Sequence, residues 1–435
     1  MSSLYQKHVH DEILKYSTAH VEEVPSLQNL LFEAELSSSS TSHPLDTCFD
    51  GRKVVRCTTL GSVEGGLSCA INRLLVTLDD HSKMTVILKT GDGPSKALQK
   101  QLKLYREAQF FGSDLFQRLK TALDKAGFPN ALPKIYLSGF NESTGEKGIV
   151  MEDLSPPPTN TGEETLPGCI QAGWLFGPGS PLNWKHIDEI QRIASHATSA
   201  RDIVQMTWEL CAIWHSIFWK DETLLLNSHW LKGISIIKSE FETTANMLTQ
   251  VWATHYEPFL HTDKYRLTER LVNIIRASLR QLSFERAQEM LQNRQHYTLT
   301  HGDWHPGNTL YRLTNQELII VDFECVGVGS GPQELAQFLI SHMDILERRT
   351  CEINLLQRYY KTLIENSDSH VPKTYSFEQC LAEYVSGGTE RWIFYVVMSP
   401  TWGSSVEQIQ YWIDQLSAFV DDHKVTEHTV GMPRL

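Results

Sequence analysis

HGDWHPGN at residues 301–308, followed by ELIIVDFE at 317–324, is the stretch on which the reading of this chain turns. Two histidines, an aspartate and an asparagine share one short loop, and a second aspartate closes an apolar run. Pro306 and Gly307 oppose a helix across the motif. TLYRL (309–313) and ELIIVDFE on either side of TNQ read as a strand–turn–strand hairpin. A polar cluster beside a strand suits a metal centre, an acid–base site or a phosphate site.

The first possibility is zinc. His301 and His305 stand four apart, as in H-E-x-x-H, but that motif needs a helix and a glutamate directly after the first histidine. Here Gly302 follows His301 and a Pro-Gly pair ends the motif, so zinc does not fit. Phosphoryl transfer makes other demands: one carboxylate aimed at the acceptor hydroxyl, a neutral oxygen ligand nearby, and a second carboxylate for Mg²⁺. Asp303, Asn308 and Asp322 meet them in the order H-x-D-x-x-x-x-N followed by D-F-x.

Such a site has further requirements upstream, and each is met in chain order. Lys89 ends the strand TVILK, and Glu107 lies in LYREAQFF on the segment after it, so the two can form the ion pair that holds the phosphates. LGSVEGGLS (60–68) supplies Gly61, Gly65 and Gly66 for a turn whose N–H groups could cover phosphate. IVMEDL supplies an extended hinge at Met151, Glu152 and Asp153 for adenine.

The segments around these motifs predict a bilobal α+β fold. RKVVRCTTL (52–60), SCAINRLLVTL (68–78), KMTVILKT (83–90), ALPKIYLSGF (131–140) and GEKGIVMEDL (145–154) carry β-branched and apolar residues at strand spacing. One long helix is expected over 95–127, ended by Gly127. Pro156, Pro157 and Pro158 form a stiff connector. Helical periodicity dominates afterwards, over 186–197, 199–219, 262–293 and 332–350. The expected division is an N-terminal segment 1–50, partly helical with a Ser-rich connector at 37–44; a β-rich nucleotide-binding lobe 51–152; and a mainly helical lobe 153–435 that holds the catalytic loop and substrate cleft.

At these residues the chain resembles the aminoglycoside phosphotransferase, choline kinase and ecdysteroid-kinase-like (CHK kinase-like) superfamily. HGDWHPGN, VDFE, VILK, YREAQFF and VMEDL carry the resemblance. It implies a protein-kinase-like fold and transfer of the ATP γ-phosphate, with Mg²⁺, to a hydroxyl of a small molecule. By position, Asp303 would be the base, Asn308 and Asp322 the Mg²⁺ ligands, Lys89 a phosphate contact fixed by Glu107, and Met151, Glu152 and Asp153 the adenine hinge. The chain departs from protein kinases in HGD for HRD, in lacking an A-P-E element, and in Glu324 where they have glycine; LGSVEGGLS also departs from G-x-G-x-x-G. A catalytically idle kinase-fold regulator and a protein kinase are the rival readings.

Other side chains have plainer roles. His301 reads as a packed histidine supporting the loop. His305 either contacts a ligand or caps the turn, and Glu324 either leans to a metal or bonds a backbone amide. His215 and Trp219, and likewise Trp392 and Tyr395, read as core from their helical spacing. Trp402, on the loop MSPTWG, could face an amine through its ring.

Composition bounds the partners. The 435 residues carry a formal charge of −13, which opposes phosphate-backbone tracking and hence nucleic acid, and tilts the expected acceptor toward a cationic amine or alcohol. Cys48, Cys57, Cys69, Cys169, Cys211, Cys325, Cys351 and Cys380 lack metal or disulfide spacing. With no membrane span or signal segment, the expectation is a reduced cytoplasmic protein, qualified by Pro433-Arg434-Leu435, a loose match to the peroxisomal S-K-L address. Oligomeric state is not readable.

Overall fold

Period-two patterning builds the first lobe. Val54–Ser62 (β1), Ala70–Leu78 (β2), Lys83–Thr90 (β3), Ile135–Asn141 (β4) and Glu146–Glu152 (β5) form one sheet in the order β1-β2-β3-β5-β4, and each pairing is antiparallel. The computed structural model describes residues 45–46, 48–62, 69–91, 100, 102–154, 170–171, 200–312, 317–366 and 368–435. The segment before residue 45, Gly65, Gly66, the three prolines and the helix expected at 186–197 lie outside the described residues.

Alternation divides the sheet's two faces. Leu74, Val76, Leu78, Val86, Leu88, Leu137 and Val150 pack with Leu45 and Phe49 on one face. Ile149 and Met151 look to the other face, into the main core shared with the helices. Lys89 pairs in register with Ile149, so a lysine stands on that inward face.

The long helix expected at 95–127 is two helices over its described part: Arg106–Phe111 (α1) and Asp114–Lys125 (α2). Ser113 breaks it by turning extended (φ −94°, ψ 159°) and capping α2, its Oγ accepting from Phe116 N at 3.4 Å. The break lets α1 lie against β4 while α2 packs on Ala200–Ile217 (α3) of the second lobe.

Beyond α3 come Glu222–Asn227 (α4), Lys238–His255 (α5), Glu269–Leu279 (α6) and Phe284–Gln292 (α7). The expected helix at 262–293 is thus split as well, because Ser283 caps α7 through Arg286 N. A short strand Ile170–Gln171 (β6) pairs with Thr309–Arg312 (β8), which forms the expected hairpin with Glu317–Ile320 (β9) in the register Thr309↔Ile320. Thr298–Thr300 (β7) pairs with Gly327–Gly329 (β10). The loop at 301–308 therefore leaves β7 and enters β8, while the segment after β9 runs into β10. Gly331–His342 (α8), Ile345–Glu365 (α9), Phe377–Met398 (α10) and Val406–Asp422 (α11) complete the lobe. Asp344 separates α8 from α9 by accepting from Leu346 N and Glu347 N.

The final residues are packed. Gly431 O accepts from Ser278 Oγ at 2.6 Å, Met432 is buried, and Arg434 Nε donates to Glu390 at 3.0 Å, so the Pro433-Arg434-Leu435 end is engaged in the fold. Among the described residues Cys48, Cys57, Cys69, Cys211, Cys325, Cys351 and Cys380 are thiols, not disulfides. Among the described residues no helix is long and apolar enough to cross a membrane.

Two adjacent glycines set the approach of α10 to α8. A Cβ on Gly387 would lie 2.4 Å from the Gln333 Cα, and one on Gly388 would lie 2.7 Å from the Ala336 Cβ and from Phe419. Gly387→Val should therefore overpack this contact and destabilise the protein by about 1–3 kcal/mol or more. A lower denaturant midpoint at unchanged slope is the expected result; an unchanged midpoint would show that α10 can shift at no cost.

Candidate active site

The loop is fixed from below before it can act from above. His301 is buried; its Nε2 donates to Val321 O at 2.9 Å, tying the loop to the end of β9, and its Nδ1 accepts from Asp303 N at 3.3 Å, fixing the turn itself. Burial pushes its imidazolium below the ordinary value, which suits this neutral tautomer. Glu334 of α8 clamps the same turn: Oε1 accepts from His301 N (3.3 Å) and from His215 Nε2 (2.7 Å), and Oε2 accepts from Gly302 N (2.9 Å). His215 Nδ1 in turn meets Tyr359 OH at 2.9 Å, so His215 and Trp219 belong to the core. Gly302 is required where it stands: φ is +81°, and a Cβ would sit 1.9 Å from Cys325 O.

Held this way, Asp303 presents a carboxylate with about a third of its surface exposed. Its Oδ1 accepts from Gln337 Nε2 (2.7 Å) and Tyr395 OH (2.9 Å), with Arg391 Nη2 at 3.5 Å; His305 Nε2 lies 3.8 Å from Oδ2. Burial pushes its pKa up, but His305, Arg391 and the two hydrogen bonds outweigh it and hold the carboxyl below the ordinary range. Asp303 is thus an ionised acceptor at neutral pH. Asn308 Nδ2 donates to Asp303 O at 3.0 Å, which turns its amide oxygen away, and Val321 N donates to Asn308 O at 3.1 Å. Asn308 is therefore tied to the neighbour of Asp322. His305 caps the turn by accepting from Gly307 N at 3.0 Å, and it also faces Asp303.

Asp322 adopts a left-handed conformation (φ 67°, ψ 63°) that aims its side chain back toward β3. Its Oδ1 lies 2.8 Å from Lys89 Nζ, across 233 positions of sequence. Lys89 also reaches Glu107 (2.7 Å) and Glu324 (3.2 Å). Burial pushes the Lys89 ammonium down, but Asp322, Glu107 and Glu324 outweigh it and hold it well above the ordinary lysine value. Asp322 moves the other way for a carboxyl: burial, then repulsion from Glu324 and Glu107, push it up to about 6 against the pull of Lys89. The carboxylates of Glu107, Asp322 and Glu324 converge within 4.8 Å, an all-oxygen donor set of the kind hard divalent cations favour.

Several residues here were missed or misread in the sequence. Glu324 pairs with Lys89 and Lys147 and accepts from Cys69 Sγ at 3.3 Å, besides belonging to the convergent carboxylate set. Lys147 of β5 went unnoticed; its signal was a lysine in phase with Ile149 and Met151 on the inward face. Tyr395 is not core but a donor to Asp303, and Arg391 was missed. Trp392 is core, and Trp402 is half exposed with its ring 5.5 Å from that of Tyr395. At the hinge, Glu152 N already donates to Lys134 O at 2.9 Å, and the Asp153 carboxylate is held by Arg73 at 2.7 Å. Met151 is paired in the sheet between Ile87 and Ile135.

Residues 231–399, which contain the loop, VDFE and α10, match the DUF1679 family model, described as "Uncharacterized oxidoreductase dhs-27". It is the ecdysteroid/CHK-kinase-like family that the sequence motifs resemble. No curated protein sequence matches the chain. Among solved structures, an ethanolamine kinase of Plasmodium vivax is 10% identical, with 97% of this chain and 95% of that one covered at a TM-score of 0.36. A macrolide 2'-phosphotransferase of Brachybacterium faecium is 13% identical, with 82% and 91% covered at 0.38. An amicoumacin kinase solved with AMP-PNP and Ca²⁺ is 12% identical, with 85% and 89% covered at 0.34. At such TM-scores nothing residue-specific follows from these superpositions.

Glu334 offers a test of the clamp. His215 and the Gly302 N–H outweigh burial and hold its carboxyl below the ordinary range, so its stabilising effect is present above the ordinary carboxylate pKa and is lost as pH falls through the lower folded value. Glu334→Ala should cost about 3–5 kcal/mol at neutral pH, since it strips the partner from His215 and two loop N–H groups. The difference from wild type should shrink in acid when denaturation is followed against pH. A pH-independent difference would mean that Glu334 acts by packing alone.

Proposed function

We propose that this chain transfers the γ-phosphate of ATP to a hydroxyl of a small molecule, with Mg²⁺ as cofactor. The observation that carries the reading is the meeting of Lys89, Glu107 and Asp322 in one ion-paired cluster, beside a loop on which Asp303 is ionised and Asn308 is tied to the Asp322 strand end. A surface lysine needs no such partners; a lysine and acids converging from both lobes suit phosphate and cation binding.

In this reaction the acceptor oxygen forms a bond to the γ-phosphorus, the bond between that phosphorus and the bridging oxygen breaks, and ADP leaves. The acceptor proton passes to Asp303, whose other partners, Gln337, Tyr395 and Arg391, keep the carboxylate oriented. Lys89 supplies charge to the α- and β-phosphates. Asp322 and the Asn308 amide oxygen would hold Mg²⁺, which screens the phosphate charge. Met151, Glu152 and Asp153 would flank adenine, with the Glu152 N–H excluded as a donor because Lys134 O already takes it. In the division that fits this reading, residues 51–152 bind nucleotide and 153–435 supply the base and the acceptor cleft, and Gly65 and Gly66 cover phosphate.

The rival readings have less support. Hydride transfer, the chemistry in the family model's description, is commonly served by a parallel sheet with a Gly-rich turn opening a helix; every pairing between named strands here is antiparallel. An idle regulator would not need Lys89, Glu107, Asp303, Asn308 and Asp322 together. The acceptor's charge is a separate matter. Arg391 stands 3.5 Å from the Asp303 carboxylate, so the cationic group of the acceptor expected from the net charge would sit away from the base.

The roles separate by mutation. Asp303→Ala should lower kcat for transfer by about 10²–10⁴-fold while Mg²⁺-nucleotide binding, followed by calorimetry, stays close to wild type. Asp322→Ala should weaken the nucleotide binding itself. Full transfer by Asp303→Ala would remove that residue from the role of base.

A further inference from the structure

One buried lysine has no part in that reaction. Lys147 is 2% exposed and does not reach the cleft; it bonds Glu107 at 2.9 Å and makes a short contact with Glu324. Together with Lys89 the four side chains close a ring: Lys89 to Glu107 at 2.7 Å, Glu107 to Lys147, Lys147 to Glu324, and Glu324 back to Lys89 at 3.2 Å. Burial pushes the Lys147 ammonium down, but Glu107 and Glu324 hold it above the ordinary lysine value, so it is charged where it stands.

The charges explain why a second lysine is there. Lys89 and Lys147 contribute +2 and Glu107, Glu324 and Asp322 contribute −3, a net of −1. Without Lys147, a single Lys89 faces −3, a net of −2. In the described arrangement Lys89 is bonded to all three acids. To serve phosphates it must turn part of its bonding away from them, and acids left behind in a buried place need another cation. Lys147 is placed to be that cation for both Glu107 and Glu324.

We infer that Lys147 is a positioning residue for the nucleotide, an inference that rests on the phosphotransferase reading: it neutralises Glu107 and Glu324 so that Lys89 can bond phosphate. The ring then works as an exchange. The two acids stay paired throughout, through Lys147 when Lys89 is engaged with phosphate and through both lysines when it is not. Lys147 itself touches neither nucleotide nor acceptor.

The test is a titration of the full-length chain with Mg²⁺-AMP-PNP, well below each variant's melting temperature, for wild type, Lys147→Met, Lys147→Arg and the double variant Lys147→Met/Glu324→Gln. Lys147→Met should weaken nucleotide affinity roughly tenfold or more, because Lys89 is then locked by uncompensated acids. Lys147→Arg should retain most of the affinity. The double variant leaves Lys89 against Glu107 and Asp322, +1 and −2, the same net −1 as wild type, and should recover affinity; it also answers the question if Lys147→Met does not fold. In steady state, KM for ATP should rise in Lys147→Met while KM for the acceptor holds. Unchanged affinity in Lys147→Met, or a double variant as weak as the single, would overturn the inference while leaving the phosphotransferase reading intact. A wild-type chain that binds no nucleotide would overturn that reading, and the inference with it.

Discussion

The closed ring of Lys89, Glu107, Lys147 and Glu324 is the constraint on which the rest of the site depends. Four charges removed from water are costly singly and tolerable only as a matched set, since an isolated buried ion pays several kcal/mol that only a well-placed partner returns. The ring therefore dictates relative positions. Lys89 and Lys147 come from neighbouring strands, Glu107 from α1, and Glu324 from the turn after β9 in the other lobe. None of these elements can slide by a residue without stranding a charge. Apolar contacts run alongside: Phe323, between Asp322 and Glu324, packs on Phe110 and Phe111 of α1 with ring centroids 4.9 and 5.7 Å apart. One segment thus sends its aromatic ring into α1 and its acids to the lysines, so the helix carrying Glu107 is set by the same residues that carry the candidate metal ligand.

A second anchor works on the backbone. Glu334 accepts two consecutive loop N–H groups, and Arg391 of α10 donates to Gly302 O from the opposite side. The turn at Gly302 is held by charged groups on both sides, which allows Asp303 to be about a third exposed without being loose. The close α8–α10 contact at Gly387 and Gly388 belongs to this design, because α8 carries Glu334 and Gln337 while α10 carries Arg391 and Tyr395. The orientation of Asp303 is then a property of helix packing as much as of the loop.

What the sequence made legible follows from what each signal depends on. The five strands and the hairpin were readable because alternation and turn residues are local. The helix breaks at Ser113, Ser283 and Asp344 were not read, although each is a capping residue, because apolar periodicity runs across them and only side-chain acceptance of the next turn's N–H groups settles the stop. Asp303, Asn308 and Asp322 were found by spacing within one motif, and Lys89 and Glu107 by order along the chain. Lys147, Arg391 and Tyr395 were not, for a physical reason: their partners are distant in sequence. Tyr395 reaches Asp303 across 92 positions and Lys147 reaches Glu324 across 177. Helical spacing made Tyr395 look like core, and three-dimensional proximity made it a donor.

Net charge acts at a different range from the site's own charges, and the difference bears on how the site divides. A sum of −13 over the chain describes a far field, whereas a few ångströms from a carboxylate only its neighbours count. Around Lys89 the nearest charges sum to −1; around Asp303 the carboxylate is met by Arg391 at 3.5 Å, with His305 at 3.8 Å. For the proposed reaction this asymmetry has a direction. A phosphoryl group leaving the nucleotide moves from the neighbourhood of the ring toward Asp303, into a region whose fixed charge is the more positive of the two. Both lobes must be assembled for that gradient to exist, since the ring draws on each of them and Asp303 takes Arg391 from α10. The lobe closure that the proposed transfer would need is already written into which residues neutralise one another.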